Sequence, residues 1–182
     1  MNREVPEQKR NAGLDQKPPE QKQSGCMNPA SLNVLQIVPM EALHLEQVAE
    51  IERRTFSEPW SRNGFAASLR SSDTCYVAAV MAGQVVGYCG FLQSFDEADI
   101  TNVAVDEPYR GAGVGRRMLE NLMSLGRSRG VRRFTLEVRV SNAAAIGLYE
   151  KLGFFTVGVR KNFYSKPTED GAIMWTEDLN IR

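Results

Sequence analysis

The sequence predicts an α/β fold of the α+β kind, with about seven strands and about four helices. Three observations predict it. In short segments, apolar residues alternate with other residues at a period of two, as in strands. In longer segments, apolar residues recur at helical spacing. Gly111, Gly113 and Gly115 stand between an expected strand and an expected helix. The length of 182 residues suits one domain with a sizeable core.

Charge and hydropathy exclude several broad classes of protein. The formal net charge is zero, so nothing global indicates nucleic-acid or membrane binding. The longest apolar run, 76–82, is too short to span a bilayer, and the N-terminal residues have no apolar secretory core. We therefore predict a cytoplasmic protein. Its three cysteines, Cys26, Cys75 and Cys89, are expected to be reduced and mostly buried.

Residues 1–33 differ in composition from the rest of the chain. They contain no aromatic residue and half of all the prolines, and they mix both signs of charge without helical periodicity. This composition predicts a disordered tail, with the folded domain at 34–182. Two alternatives stay open, namely that the tail is a docking arm and that Met27 is the true start of the protein.

The elements of the domain follow from periodicity and from capping residues. Pro39 is expected to end the first strand, Ser61 and Ser141 to cap the second and fourth helices, and Gly130 to close the third. The segment 161–171 is expected to be a loop. The expected strands are 34–38, 75–81, 85–93, 99–105, 134–140, 154–159 and 172–176, and the expected helices are centred on 43–51, 61–70, 113–129 and 142–152.

The glycine cluster after the fourth strand is the first candidate binding site. Glycines leave no Cβ where a ligand approaches the backbone, and the helix that follows directs unpaired N–H groups and a positive dipole end at the same place. Such a turn suits a phosphate. It is neither a Walker loop nor a Rossmann turn, because Gly-Lys-Ser/Thr is absent and Arg116 occupies the third glycine position. A tight turn needed only for packing is the alternative.

The fifth strand and the fourth helix supply candidate catalytic side chains. Alternation puts Phe134, Leu136, Val138 and Val140 on one face of the strand and Glu137 on the other, where it lies either in water or along a cleft. Tyr149 lies on one helix face with Ala145 and Leu152, and packing with a wet hydroxyl is its simplest interpretation.

Trp60 and His44 are two further residues with a possible role in a site. Trp60 either seals the core or forms a wall of an acceptor pocket. His44 is the only histidine and is expected to be a partly buried surface residue, so Ser-His-Asp, Cys-His and histidine-rich metal sites are not expected.

Two motifs resemble a known family. Arg110-x-x-Gly113-x-Gly115 after a strand resembles the coenzyme A signature of the GCN5-related N-acetyltransferases, the GNAT superfamily. The run 137–154, EVRVSNAAAIGLYEKLGF, resembles the corresponding run of the bacterial RimI enzymes, ribosomal-protein alanine N-acetyltransferases of that superfamily. The resemblance covers about 34–178 and implies a central mixed, mostly antiparallel sheet.

The resemblance also implies residue roles. Glu137 would act as general base and Tyr149 as general acid in direct acetyl transfer from acetyl-CoA, with no metal. Main-chain groups of Val103, Ala104 and Val105 would pair with the pantetheine arm of acetyl-CoA. Asn142 would bind the same molecule at a point further along its length. The pyrophosphate would be held by the glycine turn and the helix start, residues Gly111, Ala112, Gly113, Val114, Gly115 and Arg116.

The implied acceptor is the N-terminal alanine of a small-subunit ribosomal protein, bound by a monomer or weak dimer. Relatives of the same fold acetylate other N-termini, lysines or small amines, so these acceptors stay open. A non-catalytic coenzyme A binding module is a further alternative, against which the joint presence of Glu137 and Tyr149 argues.

Overall fold

The computed structural model describes residues 34–177, which form a seven-stranded sheet and four α-helices in this part of the chain. The predicted disordered tail, Cys26 and the Met27 start lie outside the described residues. The strands are β1 (Gln36–Pro39), β2 (Thr74–Met81), β3 (Gln84–Ser94), β4 (Glu97–Val105), β5 (Arg133–Arg139), β6 (Phe154–Ser165) and β7 (Thr168–Thr176), and the helices are α1 (Leu45–Thr55), α2 (Arg62–Ser68), α3 (Val114–Ser128) and α4 (Ala143–Lys151).

The sheet is mixed and mostly antiparallel, as expected. Its strand order is β1-β2-β3-β4-β5-β7-β6, and β4–β5 is the parallel neighbour pair of the described sheet. Helices cover both faces, because one buried cluster packs α3 and Tyr149 of α4 against the sheet and the other packs α1 and α2 against β2 and β3. Within residues 34–177, no helix is both long and apolar enough to cross a bilayer.

Capping side chains set the starts of α2 and α4, and one of the two predicted caps is wrong. Ser61 caps α2 by accepting the N–H of Gly64 at 3.1 Å, as predicted. The prediction that Ser141 caps α4 is wrong. Asn142 is the cap, and its Oδ1 accepts the N–H of Ala145 at 3.1 Å. Both residues are good capping types, so the choice depends on where the chain leaves β5.

His44 and Pro39 lie on either side of the connection between β1 and α1. His44 is buried, and its Nδ1 accepts the N–H of Glu41 at 3.0 Å, so it stabilises the turn before α1. Pro39 pairs with Val77 as the last residue of β1, so it ends the strand as predicted. Proline is tolerated there because β1 is an edge strand and its missing N–H costs no ladder bond.

The hairpin β6–β7 is longer than the sequence predicts. The segment 161–171 was predicted to be a loop, but β6 continues to Ser165 and β7 begins at Thr168. The register shifts twice along the pair, and Asn162 has a φ of 53°. These irregularities break the period-two pattern, so the sequence does not show that the two strands continue into 161–171. The hairpin brings Tyr164 and Lys166 to the mouth of a cleft.

The alternation of β5 is confirmed up to its end. Phe134, Leu136 and Val138 are buried, whereas Glu137 lies on the opposite face. Val140 was predicted to share the buried face, but it lies beyond the strand and is 44% exposed. Because the chain turns there towards α4, the strand periodicity no longer applies to it.

Candidate active site

The site begins where β4 and β5 separate. Their parallel pairing covers only Glu97–Asp99 with Arg133–Thr135. Beyond Asp99, the register of β4 with β3 skips Thr101, which leaves one extra residue in β4. The sheet therefore opens into a gap between these two neighbouring strands, where main-chain groups have no ladder partner among residues 34–177.

The pairing pattern decides which main-chain groups face this gap. The N–H of Asp106 bonds to the carbonyl of Val86, and antiparallel partners alternate between bonded and non-bonded pairs. Ala104 is therefore in a bonded pair with Tyr88, and its polar groups point to β3. Val103 and Val105 fall in the non-bonded pairs, so their N–H and carbonyl groups point away from β3 towards the gap. The carbonyl of Val105 accepts a hydrogen bond from Nε of Arg110, with 2.9 Å between nitrogen and oxygen.

The glycine turn lies at the end of β4. Gly111 and Gly113 have φ values of 75° and 80°, which L side chains rarely adopt. A Cβ at either position would meet no atom of the described residues within 4 Å, so this part of the structure leaves open space above the turn. Ala112 lies between them in this turn, and Gly113 is the N-terminal cap of α3. This open space is suited to a ligand that approaches the backbone.

The start of α3 supplies unpaired donors at the same place. The first helical N–H to find a partner in α3 is that of Arg117, which bonds to the carbonyl of Gly113 at 3.1 Å. The amides of Val114, Gly115 and Arg116 are thus left without intrahelical partners. The guanidinium of Arg116 pairs with Glu120 at 2.8 Å, and that of Arg117 donates to the carbonyl of Leu35 at 3.0 Å. An anion placed at this turn would therefore meet main-chain N–H groups and the positive end of the helix dipole.

A cleft of about 640 Å³ lies at this gap and is lined by residues of both β4 and β5. The segment between α1 and α2, residues 56–61, forms one wall, and the β6–β7 hairpin forms another. Glu137, Asn142, Tyr149 and Trp60 all line it, so four of the residues singled out in the sequence meet in one place. The lining from β4 is Asp99, Ile100, Thr101, Asn102 and Val103.

Glu137 lies on the floor of this cleft, in the middle of β5. Its side chain is 23% exposed and forms an ion pair with Nη1 of Arg160 at 3.0 Å. Burial raises the pKa of the Glu137 carboxyl, and the negative charge of Asp99 raises it further, while Arg160 lowers it. A raised pKa makes a carboxylate a better proton acceptor near neutral pH.

Tyr149 enters the cleft from α4. The residue is 7% exposed, and its ring packs on that of Phe154 with 5.8 Å between centroids. Burial raises the pKa of the Tyr149 hydroxyl, so the group is protonated at neutral pH. Within residues 34–177 this hydroxyl has no hydrogen-bond partner, although it borders the cleft. A protonated hydroxyl beside a cleft is available as a proton donor.

Asn142 has a structural role in addition to its place on the cleft wall. Its side-chain oxygen caps α4 through the N–H of Ala145. The capping bond leaves the amide N–H groups as the donors that a ligand would meet. The prediction that Asn142 binds the cofactor therefore applies to its amide nitrogen.

The sequence did not single out Glu52, the most buried carboxyl of the cleft. Glu52 is 1% exposed, and its Oε1 accepts the N–H of Trp60 at 3.0 Å while its Oε2 accepts the hydroxyl of Tyr88. Burial raises its pKa to about 7. One signal was available: Glu52 follows Val48 by four residues, so a charged residue occupies the buried face of α1.

Arg139 also lines the cleft and was not singled out in the sequence. Its guanidinium donates to the carbonyls of Lys166 and Pro167, at 2.9 and 3.0 Å, and pairs with Glu169 at 3.0 Å. It also lies over the ring of Tyr164, 4.2 Å from the centroid. Arg139 thus holds the tip of the β6–β7 hairpin over the cleft.

A comparison with family models identifies this arrangement. The model of the Acetyltransferase (GNAT) family matches residues 45–154, which include the gap, the glycine turn and both Glu137 and Tyr149. The chain belongs to the GNAT acetyltransferase family. The expected family and fold are thereby confirmed.

Individual relatives support the assignment. The ribosomal protein bS18-alanine N-acetyltransferase of Escherichia coli strain K12 is 39% identical over 132 residues, which are 72% of this chain and 87% of the relative. Its namesake in Salmonella typhimurium strain LT2 is 40% identical over 129 residues, 67% of this chain and 80% of the relative.

Solved structures agree with the sequence comparisons. The crystal structure of the ribosomal-protein-S18-alanine N-acetyltransferase from Escherichia coli has a TM-score of 0.72 and 34% identity, and the match covers 82% of this chain and 99% of that one. The structure of Ard1 from Thermoplasma volcanium has a TM-score of 0.73 and 29% identity, with 80% and 99% covered.

Proposed function

We propose that this GNAT family member transfers the acetyl group of acetyl-CoA to the α-amine of an N-terminal alanine, in the small-subunit ribosomal protein bS18. The single observation that carries the proposal is the meeting of Glu137 and Tyr149 in one cleft at the gap between β4 and β5. The names of relatives that share 39–40% identity with the chain support the choice of acceptor.

The residues of the gap and of the glycine turn fit coenzyme A. The main-chain groups of Val103 and Val105 face the gap and suit an extended, amide-bearing chain that adds to the sheet as a strand does. The positive φ values and open space at Gly111 and Gly113 suit a pyrophosphate held by the free amides of α3. When bound, acetyl-CoA supplies an acetyl thioester, which is the activated acyl group.

Glu137 is assigned to the acceptor side of the reaction. An N-terminal amine has an ordinary pKa of about 7.7–8.0, so much of it is ammonium at neutral pH and has to lose a proton before it attacks. The carboxylate of Glu137 accepts this proton, directly or through water. Burial and the charge of Asp99 raise the Glu137 pKa towards the pH at which it works. A positioned base contributes about 100- to 10,000-fold in rate.

Tyr149 is assigned to the leaving-group side. The leaving group is a thiolate, which has to take up a proton. The protonated hydroxyl of Tyr149 donates this proton and is then reprotonated from solvent. Free N–H groups of β4 near Val103 polarise the acyl carbonyl. The transfer is direct, with no acetyl group on the protein.

The test uses a peptide with a free N-terminal alanine and one internal lysine. We expect thiol release from acetyl-CoA with this peptide, and mass spectrometry to place the acetyl group on the α-amine. Glu137→Gln should lower kcat by about 100-fold or more and leave the Kd for acetyl-CoA nearly unchanged. Glu150→Gln, the same change at an exposed position of α4, is the matched control and should keep the parental rate.

The other outcomes separate the alternatives. Acetylation of the lysine, or of a small amine in a panel of acceptors, would replace the N-terminal assignment by a different acceptor class. Binding of acetyl-CoA with no thiol release for any amine would indicate a non-catalytic binding module. A Glu137→Gln protein that turned over at the parental rate would remove the assignment of Glu137 as the base.

A further inference from the structure

The segment between α1 and α2 forms the outer wall of the cleft. We call residues 56–61 the Trp60 loop, and its Phe56, Ser57, Glu58 and Trp60 line the cleft. Phe56 and Trp60 are 38% and 41% exposed, so core packing covers only part of either side chain. The loop belongs to no strand or helix until Ser61 caps α2. Its position therefore depends on individual contacts.

The outer contacts of the Trp60 loop are exposed. Ser57 Oγ donates to the carbonyl of Lys166 at 2.8 Å, and Ser165 Oγ donates to Glu58 Oε2 at 3.1 Å. Lys166 Nζ lies 3.5 Å from Glu58 Oε1, and both side chains are more than 60% exposed. Exposed contacts of this kind contribute little free energy to holding the loop in place, because water competes for each group. They link the loop to the β6–β7 hairpin without fixing its position.

The inner contact is buried and of a different kind. Glu52 receives the main-chain N–H of Trp60 on one oxygen and the hydroxyl of Tyr88 on the other, and both Glu52 and Tyr88 are at most 1% exposed. Within residues 34–177, no cation forms an ion pair with Glu52. A buried carboxyl is stabilised by its hydrogen bonds, so these two bonds determine where it lies.

We propose that Glu52 is a positioning residue for the acceptor: by holding the main chain of Trp60 beside Tyr88, it fixes the wall against which the amine is placed near Glu137. This inference rests on the proposed amine acetylation. Glu52 does not supply the proton acceptor in this scheme, since Glu137 does. Its loss should therefore weaken use of the acceptor and spare the glycine turn, which lies on the cofactor side.

The main test compares two changes at one position. Glu52→Ala removes both hydrogen bonds and should raise KM for the N-terminal alanine peptide by about tenfold or more, with the Kd for acetyl-CoA within twofold. Glu52→Gln keeps an oxygen for the N–H of Trp60 and an amide that can donate to the Tyr88 oxygen, so it should keep KM within about threefold. Glu50→Gln, an exposed glutamate of α1 paired with Arg53, is the matched control and should behave as the parent.

A second variant covers the case in which Glu52→Ala does not fold. Tyr88→Phe removes only the hydroxyl that Glu52 Oε2 accepts, and it keeps the ring that packs edge-on against Phe65. We expect KM for the peptide to rise by about threefold to tenfold, with kcat and the acetyl-CoA Kd little changed. An unchanged peptide KM in folded Glu52→Ala, or in Tyr88→Phe where only that variant folds, would overturn the inference.

A structural readout separates this inference from the proposed function. Hydrogen exchange of the Trp60 amide should be faster by about tenfold in Glu52→Ala and near the parental rate in Glu52→Gln. Equal loss in both variants, in exchange or in peptide KM, would show that charge rather than hydrogen bonding matters, and would overturn the positioning role. If the parental protein acetylates no peptide, the proposed function fails. The Trp60 exchange rates still decide whether Glu52 holds the loop.

Discussion

The two halves of the cleft are built in different ways. Most of the half that suits coenzyme A comes from one continuous stretch, the end of β4, the glycine turn and the start of α3, which offers main-chain groups; Asn142 is the side chain predicted to join it. The acceptor half joins α1, the Trp60 loop, β5 and the β6–β7 hairpin, with hydrogen-bonded partners more than 100 residues apart. A main-chain site is encoded locally, whereas a site made of side chains exists only after the chain has folded.

Two glutamates of the acceptor half sharpen this contrast. Glu137 is partly exposed and paired with Arg160, whereas Glu52 is buried and accepts hydrogen bonds from Trp60 and Tyr88. Burial raises the pKa of both carboxyls. Arg160 contacts Glu137 and opposes that rise, whereas in the part of the chain that the structure describes no cation forms an ion pair with Glu52. The same residue type is thus suited to proton transfer at one position and to holding the wall at the other.

The largest expected effect is on the cofactor half. Gly113→Val should weaken acetyl-CoA binding by about 1000-fold, because the side chain fills the open space above the turn and each lost charge-assisted hydrogen bond is worth about 1.5–3 kcal/mol. Gly83→Val is the matched control, since Gly83 also has a positive φ, of 78°, and open space, but lies in the β2–β3 turn. Calorimetry measures both affinities, and thermal unfolding measures the shared cost of strain.

Unchanged acetyl-CoA affinity in a folded Gly113→Val protein would end the assignment of the phosphate site. An equal loss in Gly83→Val would instead show that backbone strain, and not the position in the turn, weakens binding.

A smaller effect is expected where the two halves meet. Tyr149→Phe should lower kcat by about 100-fold and keep the acetyl-CoA Kd within twofold, because only proton donation is lost. Since no hydrogen-bond partner for the hydroxyl lies within residues 34–177, the free energy of unfolding should change by less than about 0.5 kcal/mol. Steady-state kinetics and urea unfolding check both values. A parental kcat would remove the acid assignment.

The smallest expected effect concerns the pH dependence of the acceptor half. Arg160 lowers the pKa of Glu137, so Arg160→Ala should raise that pKa and move the acid limb of the kcat/KM profile to higher pH. The shift should be less than about one pH unit, because an exposed ion pair contributes about 0–1 kcal/mol. Lys161→Ala, which removes the neighbouring cation bound to Asp170 at 2.6 Å, is the control and should leave the limb in place.

A limb that moved to lower pH in Arg160→Ala would contradict the role of Glu137 as the group that must be deprotonated. The same shift in Lys161→Ala would indicate a general effect of net charge near the hairpin.

The sequence predicted the features that local periodicity controls. The strands and helices were found in order, and the alternation in β5 separated Glu137 from Leu136 and Val138. The errors lie where the chain leaves β5 and turns towards α4. There the strand period no longer applies to Val140, and the residue that caps α4 depends on where the turn begins. The outer part of the β6–β7 hairpin, residues 161–171, was predicted as a loop, because register shifts and the positive φ of Asn162 hide the strand period there.

By itself the sequence determined the fold class and the glycine turn and predicted Glu137 and Tyr149 as the candidate catalytic pair, because each depends on residue type, spacing or resemblance within a short stretch. The tertiary structure alone decided that Glu52 faces the cleft, that Arg160 pairs with Glu137, and that Val103 and Val105 rather than Ala104 face the gap. These properties depend on burial, on strand register and on distances between segments remote in the chain. Such quantities take a value only once the whole sheet has formed.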